Sequence, residues 1–227
     1  MIRVELDRAS VAFTTRRGGS SAAPFDSLNL GLFSGDDEGL VRANIDQVRS
    51  ELAIDRVHVL HQVHGAILHE VEPGAIIDPP LADGMLTAEQ GQGLLITGAD
   101  CPPVAIAGPE RIAMLHCGWK PIAAGIIEAA LGHLGPGPLQ AAVGPGISQA
   151  NYEVGQEVID QLGADGEAAF QDGHLSLHAL IEAKLRRGGV VDIATVDGCT
   201  YADADDYFSY RRDGAPTGRQ AGIAWRS

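Results

Sequence analysis

The chain has 227 residues, 45% of them apolar, with 30 acidic against 16 basic side chains and a formal net charge of −14. That balance repels nucleic acid and anionic membrane surfaces, and no apolar run approaches the roughly 20 residues needed to cross a bilayer. Three cysteines without a framework spacing argue against a secreted disulfide fold.

The expectation is therefore a soluble cytoplasmic protein with reduced thiols, folded as one domain over residues 1–227, a monomer or weak homo-oligomer. The start of the chain, Met1-Ile2-Arg3-Val4-Glu5-Leu6-Asp7, alternates charged and apolar residues as a strand does and a signal peptide does not. An anionic substrate would need a local basic pocket in this acidic surface.

Alternation predicts strands at 2–6 and 10–15. A long polar loop follows, from Arg16-Arg17-Gly18-Gly19 to Leu28-Asn29-Leu30-Gly31, held by Phe25, Leu28 and Leu30; such a length suits a functional loop. Asp36 or Asp37 caps a helix running to about Leu52, with Leu40, Val41, Ile45, Val48 and Leu52 as its buried stripe. Strands are predicted at 57–63 and 66–71, the first with His58, Leu60, Gln62 and His64 on one face.

After a Pro-rich bend, Asp83-Gly84 opens a short strand. Residues 93–97, 103–107 and 111–115 are nearly unbroken apolar runs, the pattern of strands buried on both faces. A helix is predicted from Trp119 to about Leu134, a strand at 139–143 and a helix from Glu153 to Leu162. A helix from His178 to Arg187 and strands at 190–195 and 220–225 complete the domain. Strands and helices alternate irregularly, so the fold class is mixed α/β (α+β), with β-sheets flanked by helices in layers.

The chemistry gathers at strand ends. Gln62-Val63-His64-Gly65, Ala99-Asp100-Cys101-Pro102-Pro103 and His116-Cys117-Gly118-Trp119-Lys120 each set a thiol or imidazole beside a Gly or Pro that bends the chain. One thiolate and two imidazoles are a ligand set that zinc accepts with a fourth position open, and we read His64, Cys101 and His116 as sharing one ion. Spacing alone does not distinguish this from structural roles. Asp100 could orient a ligand, act as a base, or simply make the turn before the prolines. Lys120, at a helix start, could hold an anion or be solvated.

Motifs quoted in order carry a resemblance. They are Arg16-x-Gly18-Gly19-x-Ser21, Ser27-Leu28-Asn29-Leu30-Gly31, Gln62-Val63-His64-Gly65, Ala82-Asp83-Gly84, Ala99-Asp100-Cys101-x-Pro103 and His116-Cys117-Gly118-Trp119-Lys120. Gly144-Pro145-x-Ile147, Tyr152-Glu153-Val154-Gly155, Ser209-Tyr210-Arg211-Arg212 and Thr217-Gly218-Arg219 follow. Together they resemble the YfiH-like family, variously called laccase-domain proteins, multicopper polyphenol oxidases, peptidoglycan editing factors and purine nucleoside phosphorylases.

The resemblance implies a layered fold like that of the deamidating-toxin cysteine hydrolases, and places the zinc ligands on His64, Cys101 and His116. It implies phosphorolysis of purine nucleosides (adenosine, inosine, guanosine, methylthioadenosine) with adenosine deamination beside it. Four residues at three places depart from the family pattern. Lys120-Pro121 stands where Arg-Gly is usual, Gly146 where Cys is frequent, and Ile45 where Arg follows Asn44. Lys keeps the charge but loses bidentate phosphate geometry.

Within this frame Asp100, Cys101 and His116 are the catalytic candidates. Arg211, Arg219, Lys120 and Arg16 are candidates for phosphate, with Arg212 beside them, and Asn29 or Asp83 for the ribose. Two other activities fit the residues. Copper could occupy the same trio and oxidise phenols, although the eight histidines include no His-x-His pair for a trinuclear cluster. Alternatively Cys101 is a nucleophile with His116 as base, cleaving an amide such as that of a cell-wall precursor.

Overall fold

The computed structural model describes residues 1–72, 74 and 78–226, so part of the Pro-rich bend lies outside the described residues. In chain order come β1 (Ile2–Leu6), β2 (Ala9–Phe13), α1 (Glu38–Leu52), β3 (Arg56–His58) and β4 (Leu68–Glu70). Next are β5 (Gly84–Thr87), β6 (Gln92–Gly98), β7 (Pro103–Ala107), β8 (Ile112–His116), α2 (Trp119–Ala123) and α3 (Ile126–His133). Then β9 (Gln140–Val143), α4 (Gln156–Leu162), α5 (Ala164–Ala168), β10 (Phe170–Gln171) and β11 (His174–Leu175) follow. The last are α6 (Leu177–Arg187), β12 (Asp192–Thr195), α7 (Tyr210–Asp213) and β13 (Gln220–Arg226).

Two mixed sheets face each other. One has the order β1-β2-β13-β6-β3 and the other β12-β9-β7-β8-β5-β4. Period two then decides what each face touches. On β7, Ala105 and Ala107 join Phe13, Leu94, Ile96, Met85 and Met114 between the sheets. Val104 and Ile106 turn the other way, into a core with Ile126 and Ile127 of α3, Ile159 of α4 and Ile181 of α6. The outer face of the first sheet, through Ala12, Leu95 and Ile223, packs on Val48 and Leu52 of α1 and on Leu28 and Leu30 of the long loop. The layers run helix, sheet, sheet, helices. This is why residues 103–107 and 112–115 are apolar at every position: each run is covered on both sides.

The inter-sheet gap is tight at Gly222 of β13, where an added Cβ would lie 2.8 Å from the Cβ of Pro103. Gly222→Ala is expected to destabilise by overpacking, by about 1–3 kcal/mol. Thermal unfolding should register this as several degrees; an unchanged Tm would mean that the sheets stand farther apart.

Three elements differ from expectation. The strand predicted at 57–63 ends at His58, so Gln62 and His64 lie in a loop and the two-residue period does not orient them. The helix predicted over 119–134 breaks at Gly125, whose φ of 88° is open to glycine and interrupts the helical ladder. Residues 149–151 form a 3₁₀ turn, and the helix expected from Glu153 begins at Gln156.

Candidate metal centre and active-site cleft

The site is built where β6 hands the chain from one sheet to the other. Register brings its parts level: Gly98 pairs with Gln220, Pro103 with His116, and Gly84 with Leu115. The crossing segment Ala99-Asp100-Cys101-Pro102 therefore sits at one end of both sheets. There it meets the end of β8 at His116, the start of β5 at Asp83 and the loop between β3 and β4 that carries His64.

The three predicted ligands come together. The nearest ligand atoms of His64, Cys101 and His116 all lie within 4.8 Å of one another, the one such cluster of three among the described residues. The two imidazole rings meet edge to face at 4.8 Å between centroids. Cys101 is half-buried, His116 is buried and His64 is open to solvent. Zinc bonds of about 2.0–2.3 Å place tetrahedral ligand atoms roughly 3.3–3.8 Å apart, so the trio needs only a small closure around an ion.

Asp83 arranges two of the ligands. Its carboxylate is buried and accepts from the backbone N–H of Val63 (3.1 Å), His64 (2.9 Å) and Gly65 (2.7 Å). Its Oδ1 also lies 2.8 Å from Nδ1 of His116. The first set of bonds holds His64 at a φ of 60°, a left-handed conformation that a non-glycine residue adopts only when its surroundings impose it. The last bond fixes the Nδ1–H tautomer and leaves Nε2 as the ligand atom. The Asp83 carboxyl titrates low: its own burial works the other way, and the bond to His116 and the backbone donors outweigh it. Asp83 does not line the cleft, which corrects its expected place at the ribose.

The charge state fits a cation. Burial alone would depress the His116 imidazole, but the Cys101 sulfur and the Asp83 carboxylate more than reverse this and raise it to about 9. Two acidic partners thus favour positive charge at the point where a divalent ion would sit. His64 is pushed the other way, first by desolvation and then by His116, toward the neutral imidazole that ligates metals.

Asp100 also adopts a positive φ, 105°, and its carboxylate is fully engaged. It accepts from Thr200 Oγ1 (2.7 Å), Ser209 Oγ (2.7 Å) and the Arg211 backbone N–H (2.7 Å). The Asp100 carbonyl accepts from Ile147, and Pro102 fills the space a side chain at position 146 would take. This carboxylate thereby ties the start of α7, and the Arg211 backbone with it, to the crossing segment.

A cleft of about 740 Å³ opens over the cluster. It is lined by Lys120, Arg211 and Arg219, and among its lining residues Asp100 is the sole carboxylate. On a chain of net charge −14 this is the basic pocket that an anion requires. Arg211 donates from Nη1 to the Glu153 carbonyl and lies over the Tyr152 ring at 5.0 Å. Arg219 donates from Nη1 to the carbonyls of Thr217 and Gly218, and its other N–H groups have no partner among the described residues. Lys120 lies 5.5 Å from the Trp119 ring.

Three other predicted residues are placed elsewhere. Arg16 lies over Phe208 outside this cleft, its guanidinium bonded to the carbonyls of Asp26 and Ala204 and paired with the Asp26 carboxylate. Arg212 is engaged with three carbonyls, of Thr200, Tyr201 and Tyr207, and with Asp213. Asn29 is buried; it donates to Ser34 and Asp36 and accepts from the backbone of Gly31 and Arg219. It shapes the loop instead of facing the ribose. Sequence reading missed Phe33, His61, Thr97, Trp119, Tyr152 and Tyr210 in the cleft wall. Trp119, Tyr152 and Tyr210 stood in the motifs above with no role assigned to them; an isolated Phe33 or His61 carries no signal.

Fold and site together define a mixed α/β protein with a candidate mononuclear His-Cys-His metal centre at the ends of two facing sheets. A family model described as multi-copper polyphenol oxidoreductase laccase matches residues 10–227, and the chain belongs to that family. A purine nucleoside phosphorylase of Streptomyces coelicolor is 38% identical, covering 98% of both chains. One from Pseudomonas aeruginosa is 36% identical, over 96% of this chain and 93% of its own. A crystal structure of a Neisseria meningitidis protein superposes with a TM-score of 0.91 at 31% identity, over 100% of this chain and 98% of that one. The YlmD protein of Geobacillus stearothermophilus gives 0.88 at 31% identity, over 96% and 92%. No helix among the described residues is long and apolar enough to cross a membrane.

Proposed function

We propose that this chain is a zinc-containing purine nucleoside phosphorylase that also deaminates adenosine. One observation carries the reading: the His64–Cys101–His116 cluster opens into a cleft lined by three cations, Lys120, Arg211 and Arg219, against the single carboxylate of Asp100. The relatives' names supply the substrate class. In phosphorolysis a phosphate oxygen forms a bond to ribose C1′ as the bond from C1′ to the purine nitrogen breaks, and the departing base takes up a proton.

Arg211, Arg219 and Lys120 bind and orient the phosphate, since guanidinium forks suit its oxygens. Lys120 contributes a point charge where family members usually have a fork. Asp83 holds His116 and the His64 loop in place, and Asp100 holds the segment bearing Arg211. Zinc bound by the trio supplies Lewis acidity for charge developing on an atom brought to it. One sulfur and two imidazoles suit zinc better than the several copper ions of a laccase.

Zinc-loaded protein is expected to release hypoxanthine from inosine only with phosphate present, giving ribose 1-phosphate, and ammonia from adenosine without phosphate. No base release from adenosine, inosine, guanosine or methylthioadenosine would refute the phosphorylase reading.

A second reading draws on a specific contact. Asp83, His116 and Cys101 are arranged as carboxylate, imidazole and thiol, the order found in a cysteine hydrolase. In that case His64 has no chemical task, which lets mutation separate the two readings.

A further inference from the structure

Exposed aromatic rings are unusual, because a large apolar side chain left in water forgoes its burial energy. Two large aromatic side chains among the described residues are markedly exposed, Phe33 at 56% and Tyr210 at 55%, and both line the cleft. Phe33 is also stacked. The His61 ring lies parallel to it, 4.1 Å between centroids and 14° between planes. One face of Phe33 is thus covered by an imidazole, and a ring that is still more than half exposed has its other face open.

Both partners are fixed from behind. The Phe33 loop is clamped by Asn29, which accepts from the Gly31 N–H and donates to Ser34 Oγ at 2.8 Å. His61 is held by its backbone, donating to the Pro80 carbonyl and accepting from Ala82. The Arg219 stem packs against Gly31, two residues before Phe33, so the stack stands beside one of the cleft's cations. A preorganised open ring of this kind gives a flat heterocycle a stacking surface without paying for ordering, while sugar and phosphate gain little from it.

We infer that Phe33, backed by His61, is the platform on which the purine base stacks and is the specificity-determining residue for a heteroaromatic base. This rests on the nucleoside reading given above and adds the position of the base. It also gives Asn29 a task, as a positioning residue for the platform.

The test uses the zinc-loaded full chain with Phe33→Leu, which keeps apolar volume and removes the ring, and Phe33→Trp, which keeps a ring. Calorimetry measures hypoxanthine and adenine binding without phosphate, and steady-state kinetics give separate KM values for inosine and phosphate. Phe33→Leu is expected to weaken base binding and raise the inosine KM roughly tenfold to a hundredfold, with kcat and the phosphate KM within about twofold. Phe33→Trp is expected to retain base affinity. Equal base affinity in Phe33→Leu and the parent protein overturns the inference, as does a parent protein that binds no purine. A parent that binds purine with ring-dependent affinity yet performs no phosphorolysis upholds the platform and sinks the activity alone. Thermal melts of both variants should match the parent, since Phe33 is exposed.

Discussion

Cys101→Ser and His64→Ala should each lower bound zinc well below one ion per chain and reduce phosphorolysis on the order of a thousandfold. The estimate follows from losing several kcal/mol of Lewis-acid stabilisation at about 1.4 kcal/mol per tenfold. The two ligands differ in what they discriminate. Cys101 is needed by the metal reading and by the thiol-nucleophile reading alike. His64 stands outside the Asp83–His116–Cys101 line and contributes only if a metal is held. Elemental analysis of each variant, with activity before and after chelation, separates them. A His64→Ala protein that is metal-poor and fully active would replace the metal centre by a cysteine hydrolase. His64 is exposed, so its truncation removes little packing.

Asp83→Asn should weaken zinc affinity or activity about tenfold to a hundredfold, the usual cost of losing a partner behind a ligand. The geometry says why an isosteric change is not neutral. Oδ1 receives the His64 N–H and faces His116 Nδ1, while Oδ2 receives the N–H groups of Val63 and Gly65. An amide has one oxygen. With it at the Oδ1 position, the new NH₂ opposes two backbone donors and frees the loop bearing His64. Turned over, the NH₂ meets His116 and the His64 N–H. Either orientation leaves buried donors facing each other, so stability should also fall, by about 1–3 kcal/mol. Zinc titration with a competing chelator and a thermal melt together check this. An affinity equal to that of the parent would show that Asp83 does not set the ligand geometry.

Much of the framework was legible. The runs at 103–107 and 111–115 read as doubly buried strands because both faces of that sheet are covered, and a nearly unbroken apolar run is the direct trace of two neighbours. Local rules alone offered Asp36 or Asp37 as the cap of α1, and Asp37 takes it by accepting from the Leu40 N–H; Val41, Val48 and Leu52 of the predicted stripe are buried. The trio was visible as residue types at bends, and the ordered motifs made it specific. Asp83 was misplaced because a buried carboxylate that gathers backbone donors looks, in sequence, like one that meets a ligand. Phe33 and His61 were invisible as a pair, since nothing in either local sequence points to the other.

By itself the sequence determined the layered mixed class, the acidic surface, the family and the residue types able to hold a metal, because periodicity, charge and short motifs are local or additive properties. The tertiary structure decided which arginines face the cleft, where Asp83 and Asn29 act, and which aromatic ring stays open. The reason is physical: a side chain's role depends on which donors, acceptors and rings surround it. Here those neighbours arrive from strands far apart in the chain, brought level by sheet register and by a crossing between two sheets.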